Sequence, residues 1–159
     1  MHGEMSEPGR PTPELLFRPD TFFLRPWKGW GVMRDALGRP RLRYAAEGRG
    51  RTGTRAATAE QVFTFENGVV HRVEWEIVAE DEQRYFARDL CSGVEARGRI
   101  DGANFRWCFH AHGATPFGRR RVTTQALYTL ATPTAAFSFT RVSWMGLKLS
   151  SFTTFYEQV

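Results

Sequence analysis

The sequence has very little lysine, little cysteine and no long hydrophobic run. Only Lys28 and Lys148 are lysines, so the formal net charge of +5 comes almost wholly from arginine. A basic surface of this kind tolerates acidic partners, such as phospholipid head groups or nucleic acid, without demonstrating them. The two cysteines, Cys91 and Cys108, permit one disulfide at most and are more typical of small buried thiols.

The absence of long apolar runs bears on membrane insertion and export. The longest runs are a few residues, whereas a helix needs roughly 20 to span a bilayer, so no transmembrane segment is expected. The start, MHGEMSEPGRPTPELLF, lacks the basic segment followed by an apolar one that marks a secretory signal. We therefore expect a cytoplasmic protein, and 159 residues with 42% hydrophobic content are enough for one folded domain.

The chain divides into a loose extension over residues 1–20 and a β-rich domain over residues 21–159. Short segments rich in Thr, Val, Phe, Tyr and Trp alternate with turn signals, and no stretch shows helical periodicity. Asn67-Gly68 is the strongest turn signal and predicts a two-residue type I′ hairpin. The predicted strands cover residues 28–35, 40–47, 60–66, 69–79, 84–90, 94–101, 104–111, 121–130, 135–144 and 147–157.

Ten strands joined by short hairpins, without crossover helices, predict an all-β antiparallel meander. Such a meander has to close into a barrel or split into a sandwich to protect its edges. We favour an up-and-down, lipocalin-like barrel of about 8–10 strands, whose interior is wide enough for one small ligand.

The stretch Arg106-Trp107-Cys108-Phe109-His110-Ala111-His112 contains a histidine pair that could bind a metal. Alternation along a strand places Trp107 and Phe109 on one face and both histidines on the other. Because the apolar face should point inward, His110 and His112 are expected on the outside, as part of an ordinary strand. A zinc site would also need further ligands, so no metal is expected.

Three polar residues are candidates for chemistry inside the barrel. His71 alternates with Val73 and Trp75, which directs it inward, as either a hydrogen-bonded core histidine or a general base. Asp89 stands at a strand end, as a turn cap or an acid–base group. Arg141 follows Phe137 and Phe139 on one face. It is either an anchor for a ligand carboxylate, half of a structural ion pair, or a surface residue if the other face is inside.

Two arginine-rich stretches invite a nucleotide or nucleic-acid interpretation. The run at residues 119–121 has no aromatic side chains interleaved with the arginines, so nucleic-acid binding is not expected. The segment GRGRTGTR at residues 48–55 lacks the Gly-Lys-Ser/Thr ending and following helix of a phosphate loop. No cofactor is therefore expected.

Several motifs in order along the chain resemble one protein family. These are Trp30-Gly31, the aromatic hairpin around Asn67-Gly68 with Trp75 after it, Asp89, and a strand from Gly102 to Trp107. Together they resemble the lipocalin-like domain-of-unknown-function family 3833 from about residue 21 to the C-terminus. Members of that family are bacterial and are often lipoproteins.

The chain departs from the family pattern at several polar positions. Gln61 stands where an acidic residue is expected, residues 125–126 replace an Asp-Trp pair, and Ser138-Phe139 replaces an Asn-Arg pair. The lipoprotein cysteine is absent. The resemblance implies a calycin-type barrel without an assigned reaction, and it favours a lipid-type ligand.

The leading hypothesis is a barrel that binds a small hydrophobic ligand, such as a fatty acid or other lipid. An alternative is a cofactor-free isomerase, hydratase or lyase acting on a lipid-like substrate, with His71, Asp89 and Arg141 as its polar groups. A packed interaction module is the third reading, because the same aromatic residues would fill a solid core. The predicted lining consists of Trp30, Phe63, Phe65, His71, Trp75, Tyr85, Trp107, Phe109, Tyr128, Phe137, Phe139 and Arg141.

Overall fold

Ten antiparallel strands form one closed barrel in the computed structural model, which describes residues 14–159. All ten predicted strands are present, and most are longer than the sequence indicated. Their bounds are β1 Trp27–Asp35, β2 Pro40–Thr52, β3 Ala57–Phe65, β4 Val70–Ala79, β5 Arg84–Asp89, β6 Glu95–Asp101, β7 Asn104–Thr115, β8 Gly118–Thr132, β9 Ala135–Trp144 and β10 Leu147–Gln158.

Pairing of the first strand with the last closes the barrel. Trp27 lies opposite Gln158, and the register continues without a break to Asp35 opposite Ser150. Every strand therefore has two neighbours, and no row of unpaired backbone groups is left at an edge. The predicted all-β barrel is confirmed.

A short N-terminal segment plugs one end of the barrel. Its single helical turn, α1, covers Pro19–Phe22, and proline at its first position suits a helix start. Phe17 is fully buried and stacks between Phe22 and Phe105, with ring centroids 5.3 and 5.8 Å away.

Hydrogen bonds tie this plug to the strands. The Phe17 backbone N–H donates to the Gly102 carbonyl (2.9 Å), and Gln158 Nε2 donates to the Phe22 carbonyl (3.1 Å). The expected loose extension through residue 20 lies partly outside the described residues. From Glu14 onward the segment belongs to the fold instead, because its phenylalanines cover the apolar end of the barrel.

The Asn67-Gly68 hairpin forms where it was predicted, but its turn type differs. Four residues separate Phe65 from Val70, and of the pair only Gly68 takes a positive φ, of 86°. Asn67 Oδ1 accepts a hydrogen bond from the Val69 N–H instead (3.1 Å). A type I′ turn needs positive φ at both central residues, so the predicted type I′ turn is wrong here.

The turn between β5 and β6 is organised by Asp89, which is buried. Its Oδ1 accepts hydrogen bonds from the N–H groups of Glu74 and Cys91 (both 3.1 Å), and its Oδ2 accepts one from Ser92 Oγ (2.6 Å). Burial by itself raises the pKa of this carboxyl. The three hydrogen bonds and nearby His71 favour the ionised form more strongly, so the net pKa is lowered.

We expect Phe17→Ala to lower the free energy of unfolding by about 3–5 kcal/mol, because it removes a fully buried ring from the plug. The matched control is Leu16→Ala on the exposed side of the same segment, which should cost about 0.5 kcal/mol. Urea unfolding followed by tryptophan fluorescence measures both. Equally small losses would show that the plug is not part of the cooperative core.

Asp89 should make stability pH-dependent in the acid range. Because its folded-state pKa lies below the ordinary value of 3.8, the carboxylate stabilises the fold above that value. This contribution disappears as the pH falls from about 4 through the folded-state pKa. Asp89→Asn should cost about 1–3 kcal/mol at pH 7 and flatten the decline in stability between pH 5 and 3. Asp101→Asn, at an exposed position of β6, is the control, and an unchanged decline in Asp89→Asn would contradict the assignment.

Candidate functional site

The barrel interior divides into a tightly packed half and a half whose side chains are mostly only partly buried. In the half next to the plug, buried aromatic side chains pack edge to face, as Trp75 does against Trp107 with ring centroids 5.5 Å apart. A cavity of only about 20 Å³ remains there, between Pro19, Phe23, Gln61 and Trp107 among others. A space of that size holds about one water molecule, so this half cannot receive a ligand without rearrangement.

The other half lies at the opposite end of the barrel. This end is formed by the hairpin turns after β1, β3, β5, β7 and β9. Its inward-facing side chains are mostly apolar and only partly buried. We call this region the mouth. Its inward-facing residues include Met33, Phe63, Phe65, Val73, Phe109, Ala111, Thr140, Val142 and Phe152.

Gly31 makes room for an aromatic cluster on one wall of the mouth. A Cβ atom at this position would lie 2.2–2.5 Å from atoms of the Tyr44 ring, so a larger residue would displace that ring. Tyr44 packs in turn against Phe63, Phe65 and Phe152, with ring centroids 5.2–6.1 Å apart. The Trp30-Gly31 motif therefore owes its glycine to this packing.

A row of hydroxyl groups lies on the same wall below the aromatic cluster. Tyr44 Oη and Thr154 Oγ1 are 2.6 Å apart, and Ser138 Oγ and Tyr156 Oη are 3.1 Å apart. Burial raises the pKa of Tyr44 to about 12 and also raises the pKa values of Tyr128 and Tyr156. The tyrosines are therefore protonated at neutral pH, and their hydroxyl groups form hydrogen bonds but do not act as bases.

Gln61, which departs from the family pattern, is a buried polar residue. It lies on the inner face of β3 and lines the small cavity with Trp75 and Trp107. Alternation with Ala59 and Phe63 on the same strand was the signal that could have placed it inside.

Seven of the twelve residues predicted to line the interior do face inward. Trp75, Tyr85, Trp107 and Tyr128 belong to the packed half, and Phe63, Phe65 and Phe109 belong to the mouth. The last three are partly buried and lie at the mouth.

Four predicted lining residues lie on the outer face instead. Trp30, Phe137, Phe139 and Arg141 are all exposed, and Phe137 packs on Phe155, which also lies outside. Small residues of β9, Ala136 and Ser138, face inward because Tyr128 and Tyr156 already occupy the adjacent space. The expectation that Arg141 points into the barrel is therefore wrong, and its guanidinium makes only a long hydrogen bond (3.4 Å) to the Gly146 carbonyl.

The three polar candidates are not brought together. His71 has the inward register but is exposed at the mouth, where its ring centroid lies 6.4 Å from that of Phe63. Asp89 is close enough to His71 for their charges to interact, but its oxygens already accept the three hydrogen bonds of the turn. Arg141 is on the opposite side of the sheet.

The histidine pair lies on the outer face of β7, as its alternation predicted. His110 and His112 are exposed, and His110 Nδ1 is 3.0 Å from Thr123 Oγ1. Within residues 14–159 no group of three or more His, Cys, Asp or Glu side chains is arranged to hold a metal ion. Both cysteines are free thiols, and Cys91 is exposed where a buried one was expected.

Two solved structures are similar to this chain, and the first of them supports the fold. The S-type phycobiliprotein lyase CPES from Guillardia theta has a similar structure, with a TM-score of 0.63 and 7% identity over 88% of this chain and 90% of that one. The redesigned β-barrel mFAP1, solved bound to DFHBI, gives a TM-score of 0.45 and 10% identity over 89% of this chain and all of its own.

No helix among residues 14–159 is long and apolar enough to cross a membrane. A comparison with curated protein sequences gives no match. A family model described as protein of unknown function (DUF3833) matches residues 4–158, so the chain belongs to that family.

Proposed function

We propose that the mouth of the barrel binds a small, largely apolar ligand of the fatty-acyl or other lipid type. The observation that carries this proposal is the incomplete burial of the inward-facing apolar side chains at this end. A ligand that covered Phe63, Phe109 and Phe152 would remove their exposed apolar surface from water, which is favourable. Apolar walls with a few polar groups are typical of small-molecule sites.

The charges of the interior limit what the ligand can carry inward. Asp89 is the one charged residue that is buried in the described part of the chain, and no arginine or lysine is buried there. An ionised carboxylate without a partner is costly to bury. We therefore infer that the apolar portion of the ligand enters the barrel while any anionic head group stays at the rim.

Binding is favoured over catalysis by the placement of the polar candidates. An acid–base mechanism needs its groups within reach of one substrate atom. Asp89 already accepts three hydrogen bonds, the buried tyrosines are protonated at neutral pH, and Arg141 faces away from the interior. The remaining group, His71, stands alone at the mouth.

We expect Ala111→Trp to weaken the binding of a fluorescent fatty acid at least tenfold. Ala111 faces the mouth, opposite Val122, so a tryptophan there would fill the space that the ligand needs. Ala114→Trp places the same side chain on the outer face of the same strand, and its affinity should stay at the wild-type level. Circular dichroism melting shows whether both variants fold. Equal affinities in the two variants would exclude the mouth as the site, and no binding by the wild type would exclude fatty acids as the ligand.

The head group should matter little to affinity. No arginine or lysine is buried among residues 14–159, and the arginines beside the mouth are at least partly exposed, so that solvent screens their attraction for a carboxylate. A fatty acid and its methyl ester should therefore bind within about threefold of each other, which is a difference below 1 kcal/mol. Arg141→Met removes an exposed charge outside the barrel and should leave both affinities unchanged. A selective loss of acid binding in Arg141→Met would show instead that the outer face holds the ligand.

A further inference from the structure

The exposed apolar side chains of this barrel are concentrated at one end. Twelve large hydrophobic residues are exposed in the described part of the chain, and seven of them lie at the mouth. Each of the five hairpins around the mouth contributes at least one. We call this set the rim; it comprises Leu37, Val69, Val70, Leu90, Phe117, Met145 and Leu147.

The opposite end has a different character. Its turn between β4 and β5 carries Glu80, Asp81 and Glu82, and the plug covers the interior. The exposed large hydrophobic residues there are Leu16 and Val159. The remaining three, Trp30, Phe137 and Phe139, lie on the side wall. The rim is therefore a property of the mouth and not of hairpin turns in general.

One rim residue, Met145, has an unfavourable backbone conformation. Met145 and Gly146 form the two-residue turn between β9 and β10, with φ values of 49° and 80°. Such a turn prefers Asn-Gly, and a long apolar side chain at positive φ is uncommon. Met145 is nevertheless 82% exposed, so packing inside the protein does not account for it. Unfavourable conformations of this kind concentrate at functional positions.

The charge around part of the rim is uniformly positive. No aspartate or glutamate occurs between Asp101 and Glu157, a span that covers nearly all of β7 to β10. Arg119, Arg120, Arg121 and Lys148 follow the two hairpin turns of this span that lie at the mouth. All seven salt bridges among the described residues involve acids outside it. None of these four cations forms a salt bridge among the described residues, although Arg119 and Arg120 each donate one hydrogen bond to a backbone carbonyl. Their positive charge is therefore not neutralised by a carboxylate of the described chain.

We propose that the rim docks on the surface of a lipid bilayer containing anionic lipids, with the mouth facing the membrane. Exposed apolar side chains beside uncompensated arginine and lysine fit the boundary between acyl chains and phosphate head groups. An acidic protein would match the charge but would not require apolar side chains on all five hairpins. This docking goes beyond ligand binding, and it would place the mouth where a lipid could pass directly between bilayer and barrel.

Sedimentation with phosphatidylcholine vesicles containing 30% phosphatidylglycerol tests the proposal. The wild type should co-sediment at low salt, and binding should weaken at high salt and with pure phosphatidylcholine. The triple variant Leu37→Ser, Phe117→Ser, Met145→Asn should reduce the partition coefficient at least tenfold. Asparagine suits the turn better than methionine, so Met145→Asn alone should keep or raise the melting temperature while weakening vesicle binding.

The matched control removes apolar surface from the side wall through Trp30→Ser and Phe137→Ser, and it should bind vesicles as the wild type does. Docking by the rim is overturned if the wild type stays in the supernatant, or if the side-wall variant loses as much binding as the rim variant. It is also overturned if the rim mediates only self-association, seen in sedimentation velocity without vesicles. Ala111→Trp should still bind vesicles, so failure of the ligand proposal and failure of the docking proposal give different results.

Discussion

The pairing of β1 with β10 is the constraint on which the rest of the structure depends. It joins residues more than 110 positions apart in the sequence, from Trp27 with Gln158 to Asp35 with Ser150. Closure removes the exposed edges and fixes, for every strand, which alternate side chains point inward. Gly31 and Thr154 face each other across this pairing, and both adjoin Tyr44. The aromatic and hydroxyl wall of the mouth thus exists only because the barrel closes in this register.

Strand positions were predictable because turn signals and β-type residues are local properties of the sequence. The face of each strand was predictable only where the apolar residues lay on one side. On β7, Trp107 and Phe109 are inside and His110 is outside, as alternation indicated. On β9 the same rule failed, because Phe137 and Phe139 are outside and Ala136 and Ser138 are inside. Small residues are required there by the tyrosines of neighbouring strands, and a single strand's pattern does not contain that information.

The plug was not predicted from the sequence, and the reason is similar. The segment around Phe17 has no periodicity of its own, and its phenylalanines are buried only because an open barrel end needs covering. The turn at Asn67-Gly68 shows the limit of local signals as well. Its position follows from the dipeptide, whereas its form is set by hydrogen bonds that the dipeptide alone does not specify, from the Phe65 N–H to the Val69 carbonyl and from the Gly68 N–H to the Phe65 carbonyl.

The two halves of the barrel interior are packed to different extents. The aromatic side chains and the plug leave space for about one water molecule at their end, whereas most inward-facing side chains of the mouth are only partly buried. The same end carries most of the exposed apolar residues and adjoins an acid-free stretch of sequence. A side wall that also exposes Trp30 and Phe137 shows that exposed aromatics alone do not single out the mouth. The mouth differs from the rest of the surface because three features occur there together. Its interior side chains are mostly only partly buried, its hairpins carry the exposed apolar rim, and the four cations that follow two of its hairpin turns form no salt bridges among the described residues.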